Sequence, residues 1–204
     1  MRIMSNINEE ILVVGSIYDN FEKIESIEKL IHKYAAVIFN GNLLYPFDNI
    51  SSVYTRISIM KALLQTGKVI YNLGAYDLKL SNILYQNNDH IDIQQWIISN
   101  PNVINIDFAN SSSVLIISGG LTPNINNKKL LTDNIEVSFV SKINGKPWQV
   151  YYNGMLGYVI SNNPLGNKPM FYSNAAQIGI QYKHKCDVYA QEINKFGLKN
   201  IIKL

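Results

Sequence analysis

The chain has 204 residues, 47% of them apolar and 16% charged, with a formal net charge of +3. The apolar share suffices for a sizeable core and excludes global disorder, and the length suits one generous domain over 1–204. A single cysteine, Cys186, and three scattered histidines, His32, His90 and His184, exclude a disulfide framework, a multi-cysteine metal site and a histidine-rich one.

The basic charge is diffuse, and its densest cluster is Lys183-His184-Lys185. Nucleic acid is therefore not an expected partner, since it calls for a concentrated basic face. No apolar run reaches the roughly 18 residues of a membrane helix. The opening residues, Met1-Arg2-Ile3-Met4-Ser5-Asn6, lack the apolar core of a signal peptide. The expectation is a protein with no membrane partner, placed in the cytoplasm or within a virus particle. Asparagine is unusually frequent, with 26 residues in the whole chain and the excess running through every segment, which points to an AT-rich coding sequence.

Residues 10–18 read as a buried strand that breaks at Gly15 into a loop. Phe21, Ile24, Ile27, Leu30, Ile31 and Tyr34 recur at helical spacing and predict an amphipathic helix over Asp19–Tyr34, with Asp19 and Glu22 as a capping box. Ala35–Phe39 is a second buried strand, ending at Asn40-Gly41-Asn42. Ile50–Thr66 reads as a helix with Ile50, Val53, Tyr54, Ile57 and Leu64 on one face, stopped by Gly67. Lys68–Asn72 is a third strand, running into the loop Leu73-Gly74-Ala75-Tyr76-Asp77. Alternating strands and helices imply a parallel sheet, with its post-strand loops gathered at the carboxyl edge where open α/β sheets hold their sites.

The second half is strand-rich. Val103–Phe108, Val114–Ser118, Ile135–Val140, Trp148–Tyr152 after the Asn144-Gly145 hairpin signal, Tyr158–Ser161, Met170–Tyr172, Ile178–Tyr182, Val188–Gln191 and Leu198–Leu204 all read as strands. The predicted fold class is α/β, a four-layer α/β/β/α sandwich of two mixed sheets flanked by helices.

The post-strand loops, in order and spacing, resemble the calcineurin-like metallophosphoesterase family. The loops are Gly15-Ser16-Ile17-Tyr18, Asn40-Gly41-Asn42-Leu43, Leu73-Gly74-Ala75-Tyr76-Asp77, Ile117-Ser118-Gly119-Gly120 and Tyr158–Leu165. The family pattern is Gly-Asp-x-His, Gly-Asp, Gly-Asn-His-Asp/Glu and two later histidine loops, and it holds two metals that activate a bridging hydroxide. Carried over residue by residue, the ligand and catalytic positions fall on Ser16, Tyr18, Asn42, Ala75, Tyr76, Ser118 or Gly119, Asn163 and Leu165. Asp77 falls where the family's acid supports its catalytic histidine. The carboxylates and imidazoles that two divalent cations need are missing from these positions. The resemblance thus implies a degenerate member with a vestigial pocket, no metal and no cofactor.

The candidates for ligands that have migrated are Asp19, Asp48, Asp77, His184 and Asp187. Asp19 reads as a helix cap, His184 as solvated, His32 as surface, and His90 as part of an acidic loop beside Asp89 and Asp92. Cys186 reads as a buried small hydrophobe. Gly119-Gly120 lacks the Gly-Lys-Ser/Thr of a P-loop. Ser16, Ser112 and Ser118 have no identifiable base. Three functions stay open at this point. The leading expectation is a pseudo-enzyme used for protein–protein interaction or as a structural component of a phage or virus, its partners other protein subunits. The alternatives are a phosphoesterase with a rearranged single-metal site, and a metal-free pocket that takes a phosphate-bearing ligand on loop N–H groups.

Overall fold

In the computed structural model, which describes residues 2–17, 22–45, 48–109, 113–118, 142–143, 146–147, 158–161, 177–179 and 188–204, the first element is a strand that the sequence reading lacks, β1 (Arg2–Ile7). Then follow β2 (Ile11–Val14), α1 (Glu22–Glu28), β3 (Ala36–Asn40), α2 (Ile50–Gln65) and β4 (Val69–Asn72). Two further helices, α3 (Ala75–Asn87) and α4 (Ile91–Ser99), precede β5 (Val103–Phe108) and β6 (Ser113–Ile117). The remaining strands are β7 (Lys142–Ile143), β8 (Lys146–Pro147), β9 (Tyr158–Ser161), β10 (Gln177–Gly179), β11 (Tyr189–Asn194) and β12 (Gly197–Lys203).

Among the described residues, two mixed five-stranded sheets result. The first has the order β12-β11-β2-β3-β4, in which β2, β3 and β4 are parallel and β11 runs antiparallel to β2. The second has the order β1-β5-β6-β9-β10, with β5 and β6 antiparallel and the other pairs parallel. β7 and β8 pair antiparallel on either side of the Asn144-Gly145 signal.

The strands β2–β4 lack polar alternation because both their faces are buried. Leu12, Val14, Val37, Phe39, Val69 and Tyr71 pack into one core with Ile24, Ile27, Val53, Ile57, Met60, Leu80, Leu84, Trp96 and Ile97 of the helices. Their neighbours Ile11, Val13, Ala36, Ile38 and Ile70 pack into a second core with Ile104, Ile106, Val114, Ile116 and Ile160 of the other sheet. Successive side chains leave a strand on opposite sides, so one run feeds both cores. Each such aliphatic burial stabilises the fold by about 1.5–3 kcal/mol. The expected arrangement of two mixed sheets flanked by helices is the one adopted.

The element boundaries correct the sequence reading in four places. The helix expected over Asp19–Tyr34 is α1 followed by a 3₁₀ turn at Ile31–Lys33. There the bonds tighten to Leu30 N–H on Ile27 O and Lys33 N–H on Leu30 O. Ile31 and Tyr34 are still buried, so the periodicity reports burial rather than an unbroken helical ladder. Tyr54, expected on the buried face of α2, is 39% exposed, because that face centres on Val53, Ile57, Met60 and Leu63. Ala75, Tyr76 and Asp77 form the first turn of α3 rather than a loop. His90 is the residue before α4 and Asp92 lies in its first turn, in place of an acidic loop. The strands expected at Ile135–Val140, Trp148–Tyr152 and Met170–Tyr172 lie outside the described residues.

Candidate functional site

Three short connections leave the carboxyl ends of β2, β3 and β4 side by side. Ser16, Asn42 and Gly74 each stand two residues beyond the strand's last residue. Two glycines let these connections meet. Gly41 has φ +79°, and a Cβ there would lie 2.5 Å from the backbone N and Cα of Gly74. A Cβ on Gly74 would lie 2.3 Å from Asn42 N and Oδ1. Asn42 itself takes a left-handed φ of +58°, a conformation that asparagine tolerates better than most residues.

The side chains then bond to one another across the connections. Asn42 Nδ2 donates to Ser16 Oγ at 2.9 Å, and Asn42 Oδ1 accepts from Tyr76 N–H at 3.1 Å. Ser16 and Asn42 are buried. Tyr76 is half-buried, with its ring edge-on to Tyr45 at 5.0 Å. Just beneath, Asn72 Nδ2 donates to Asn40 Oδ1 at 2.9 Å, and Asn40 Nδ2 reaches Ile117 O of the other sheet at 2.8 Å. Asn72 Oδ1 is buried and has no hydrogen-bond partner among the described residues.

Asp77 is completely buried. Its Oδ2 accepts from Tyr71 Oη at 2.5 Å, Gly74 N–H at 2.7 Å and Asn42 N–H at 3.0 Å, and its Oδ1 accepts from Leu44 N–H at 2.8 Å. Tyr71 Oη in turn accepts from Leu43 N–H at 3.2 Å. Burial pushes the Asp77 carboxyl above the ordinary range, and its four donors oppose that rise. Burial, then the Asp77 charge, pushes the Tyr71 phenol well above its ordinary value. Leu43 O also accepts from Arg56 Nη1 at 3.1 Å, and Arg56 pairs with Asp48 at 2.9 Å, which ties Asp48 to α2.

No family model matches the sequence, and no curated protein matches it. Solved structures do match the whole fold. A candidate diadenosine tetraphosphatase superposes with a TM-score of 0.65 at 16% identity, covering 100% of this chain and 97% of that one. A hypothetical protein of Pyrococcus horikoshii gives a TM-score of 0.65 at 13% identity, covering 98% and 88%. A protein serine/threonine phosphatase of Saccharomyces cerevisiae gives 0.62 at 14% identity, covering 100% and 82%. The chain has the calcineurin-like phosphoesterase fold.

Within that fold, the structure brings Ser16, Asn42, Ala75, Tyr76 and Asp77 of the expected set together at the carboxyl edge of the first sheet. Ser118 is buried at the end of β6, next to the Ile117 carbonyl that Asn40 bonds. Tyr18, Gly119, Asn163 and Leu165 lie outside the described residues, as do Asp19, Ser112, His184, Cys186 and Asp187. His32 is exposed on the 3₁₀ turn. His90 faces Tyr54 Oη through Nδ1 at 3.3 Å and Asp89 through Nε2 at 3.4 Å. Asn40, Asn72 and Tyr71 were not singled out from sequence. Two of them, Asn40 and Asn72, could have been, since a polar residue closing an otherwise apolar strand marks its carboxyl end.

Proposed function

We propose that this chain is a catalytically inactive phosphoesterase-like domain that serves as a protein-interaction or structural module. The observation that carries the reading is the Ser16–Asn42 hydrogen bond. It joins two neutral side chains at the positions where the family resemblance puts carboxylate ligands. A two-metal centre needs several anionic or imidazole donors converging on one place. Ser16 offers a hydroxyl, Asn42 an amide and Ala75 a methyl group. The carboxylate of Asp77 faces inward and is engaged by four donors. These residues do not fit two divalent cations. The phosphate-receiving alternative is disfavoured in the same region, because the N–H groups of Asn42, Leu44 and Gly74 are already bonded to Asp77.

Exposed apolar side chains support the interaction half of the reading. Ile91 and Ile98, seven residues apart on α4, are 52% and 62% exposed, and Tyr85 of α3 is 72% exposed. The asparagine excess supports a phage or virus particle as the setting. The test is affinity capture with the wild-type chain and with an Ile91→Ser/Ile98→Ser double variant. A specific protein partner lost in the double variant is expected. A monomer that captures nothing under either condition contradicts the module.

A further inference from the structure

We propose that the donors between β3 and β4 form a receptor for one carboxylate, and that the Asp77 side chain is its tethered occupant. The inference rests on the geometry around Asp77 alone. It stands whether or not the chain hydrolyses phosphoesters.

A carboxylate that caps its own helix accepts one or two N–H groups from that first turn. Asp77 does this once, from Gly74 N–H at 2.7 Å. Its other backbone donors, Asn42 N–H at 3.0 Å and Leu44 N–H at 2.8 Å, lie 35 and 33 residues away in the chain. The fourth donor, Tyr71 Oη, sits on β4 and is oriented by Leu43 N–H. Because the Tyr71 oxygen accepts that bond, its own proton is directed to Asp77. The placement of three of the four donors is thus fixed by the sheet and the loop after β3, not by α3.

None of these four donors is a cation. The negative charge is held by oriented dipoles in a fully buried place, which is how backbone concavities hold small anions. Both carboxylate oxygens are served, Oδ1 by one donor and Oδ2 by three. Removing the side chain leaves four convergent, desolvated donors around a space of one carboxyl group. Unmade bonds to such donors are costly, so a free carboxylate of the right size replaces them.

The test is thermal unfolding of Asp77→Gly, which vacates the whole side chain, titrated with sodium formate against sodium chloride at equal ionic strength. Formate raises the midpoint of Asp77→Gly saturably and leaves the wild type unmoved. Adding Tyr71→Phe shifts half-saturation to about tenfold higher formate, one charge-assisted hydrogen bond's worth. If Asp77→Gly is unfolded in buffer, the titration is read as folded protein recovered on dilution from urea, and saturable recovery with formate supports the receptor. Equal responses in wild type and variant, no response in the variant, or no recovery at any formate concentration overturns it.

Discussion

Ser16 Oγ and Asn42 Nδ2 lie 2.9 Å apart and are hydrogen-bonded to each other. The first two post-strand loops are therefore closed by the protein's own neutral groups. Replacing both residues by aspartate tests what the closed loops have kept. In Ser16→Asp/Asn42→Asp two carboxylates meet at the same edge and repel, so the metal-free variant melts below wild type. If the loops retain the geometry of their fold, manganese binds the pair and stabilises it. At a hundredfold excess over Kd the gain is about 2.7 kcal/mol. Differential scanning fluorimetry reads this as a rise of about 5 °C or more. Wild type shows no manganese-dependent rise. An equal rise in both proteins contradicts the prediction.

The glycine contact predicts a steric effect. A methyl at Gly74 meets Asn42 N and Oδ1 at 2.3 Å, and neither can move without breaking the bonds to Asp77 and Tyr76. Gly74→Ala is expected to cost about 1–3 kcal/mol, as overpacking does. The urea midpoint falls while the m-value holds. Gly67 offers a control: a Cβ there meets nothing within 4 Å among the described residues, and its φ of +73° is what penalises substitution. Gly67→Ala is expected to cost less than Gly74→Ala, and the reverse order contradicts the packing argument.

How much of this was legible in the sequence differs by element. Strands β2–β4 were legible because apolar residues feed two cores and leave unbroken runs. β1 was not, since Arg2, Ser5 and Asn6 interrupt it and, among the described residues, it pairs on one side only, with β5. Helix α3 hid for a different reason. Its buried positions are Asp77, Leu80, Ser81 and Leu84, spaced as a helix should be but half of them polar. In α4 the exposed Ile91 and Ile98 blur the stripe of Ile93, Trp96 and Ile97. The loop positions of Ser16 and Asn42 followed from chain order. The inward role of Asp77 did not, because two of its donors come from a loop more than thirty residues away.

Two phenols predict an alkaline limit to stability. Burial raises Tyr71 well above its ordinary value, and burial with the Glu192 hydrogen bond raises Tyr34. A phenol raised in the folded state stabilises fully below the unfolded value of about 10, and that contribution is lost as pH rises above it. Urea midpoints of wild type are therefore expected to fall more steeply above pH 10 than those of Tyr71→Phe, whose midpoint is lower at pH 8. Tyr71→Phe also removes a donor from Asp77 and is expected to cost about 1–3 kcal/mol at pH 8. Parallel pH profiles for the two proteins contradict the assignment.

The proposal that the domain lacks a hydrolytic centre stands or falls on metal content measured together with turnover. The wild-type chain is loaded with manganese, freed of excess by gel filtration, measured by elemental analysis, and assayed with a phosphodiester. Substoichiometric metal and no hydrolysis above the metal-only blank are expected. Stoichiometric metal together with turnover that is lost in Asp77→Asn would contradict the proposal.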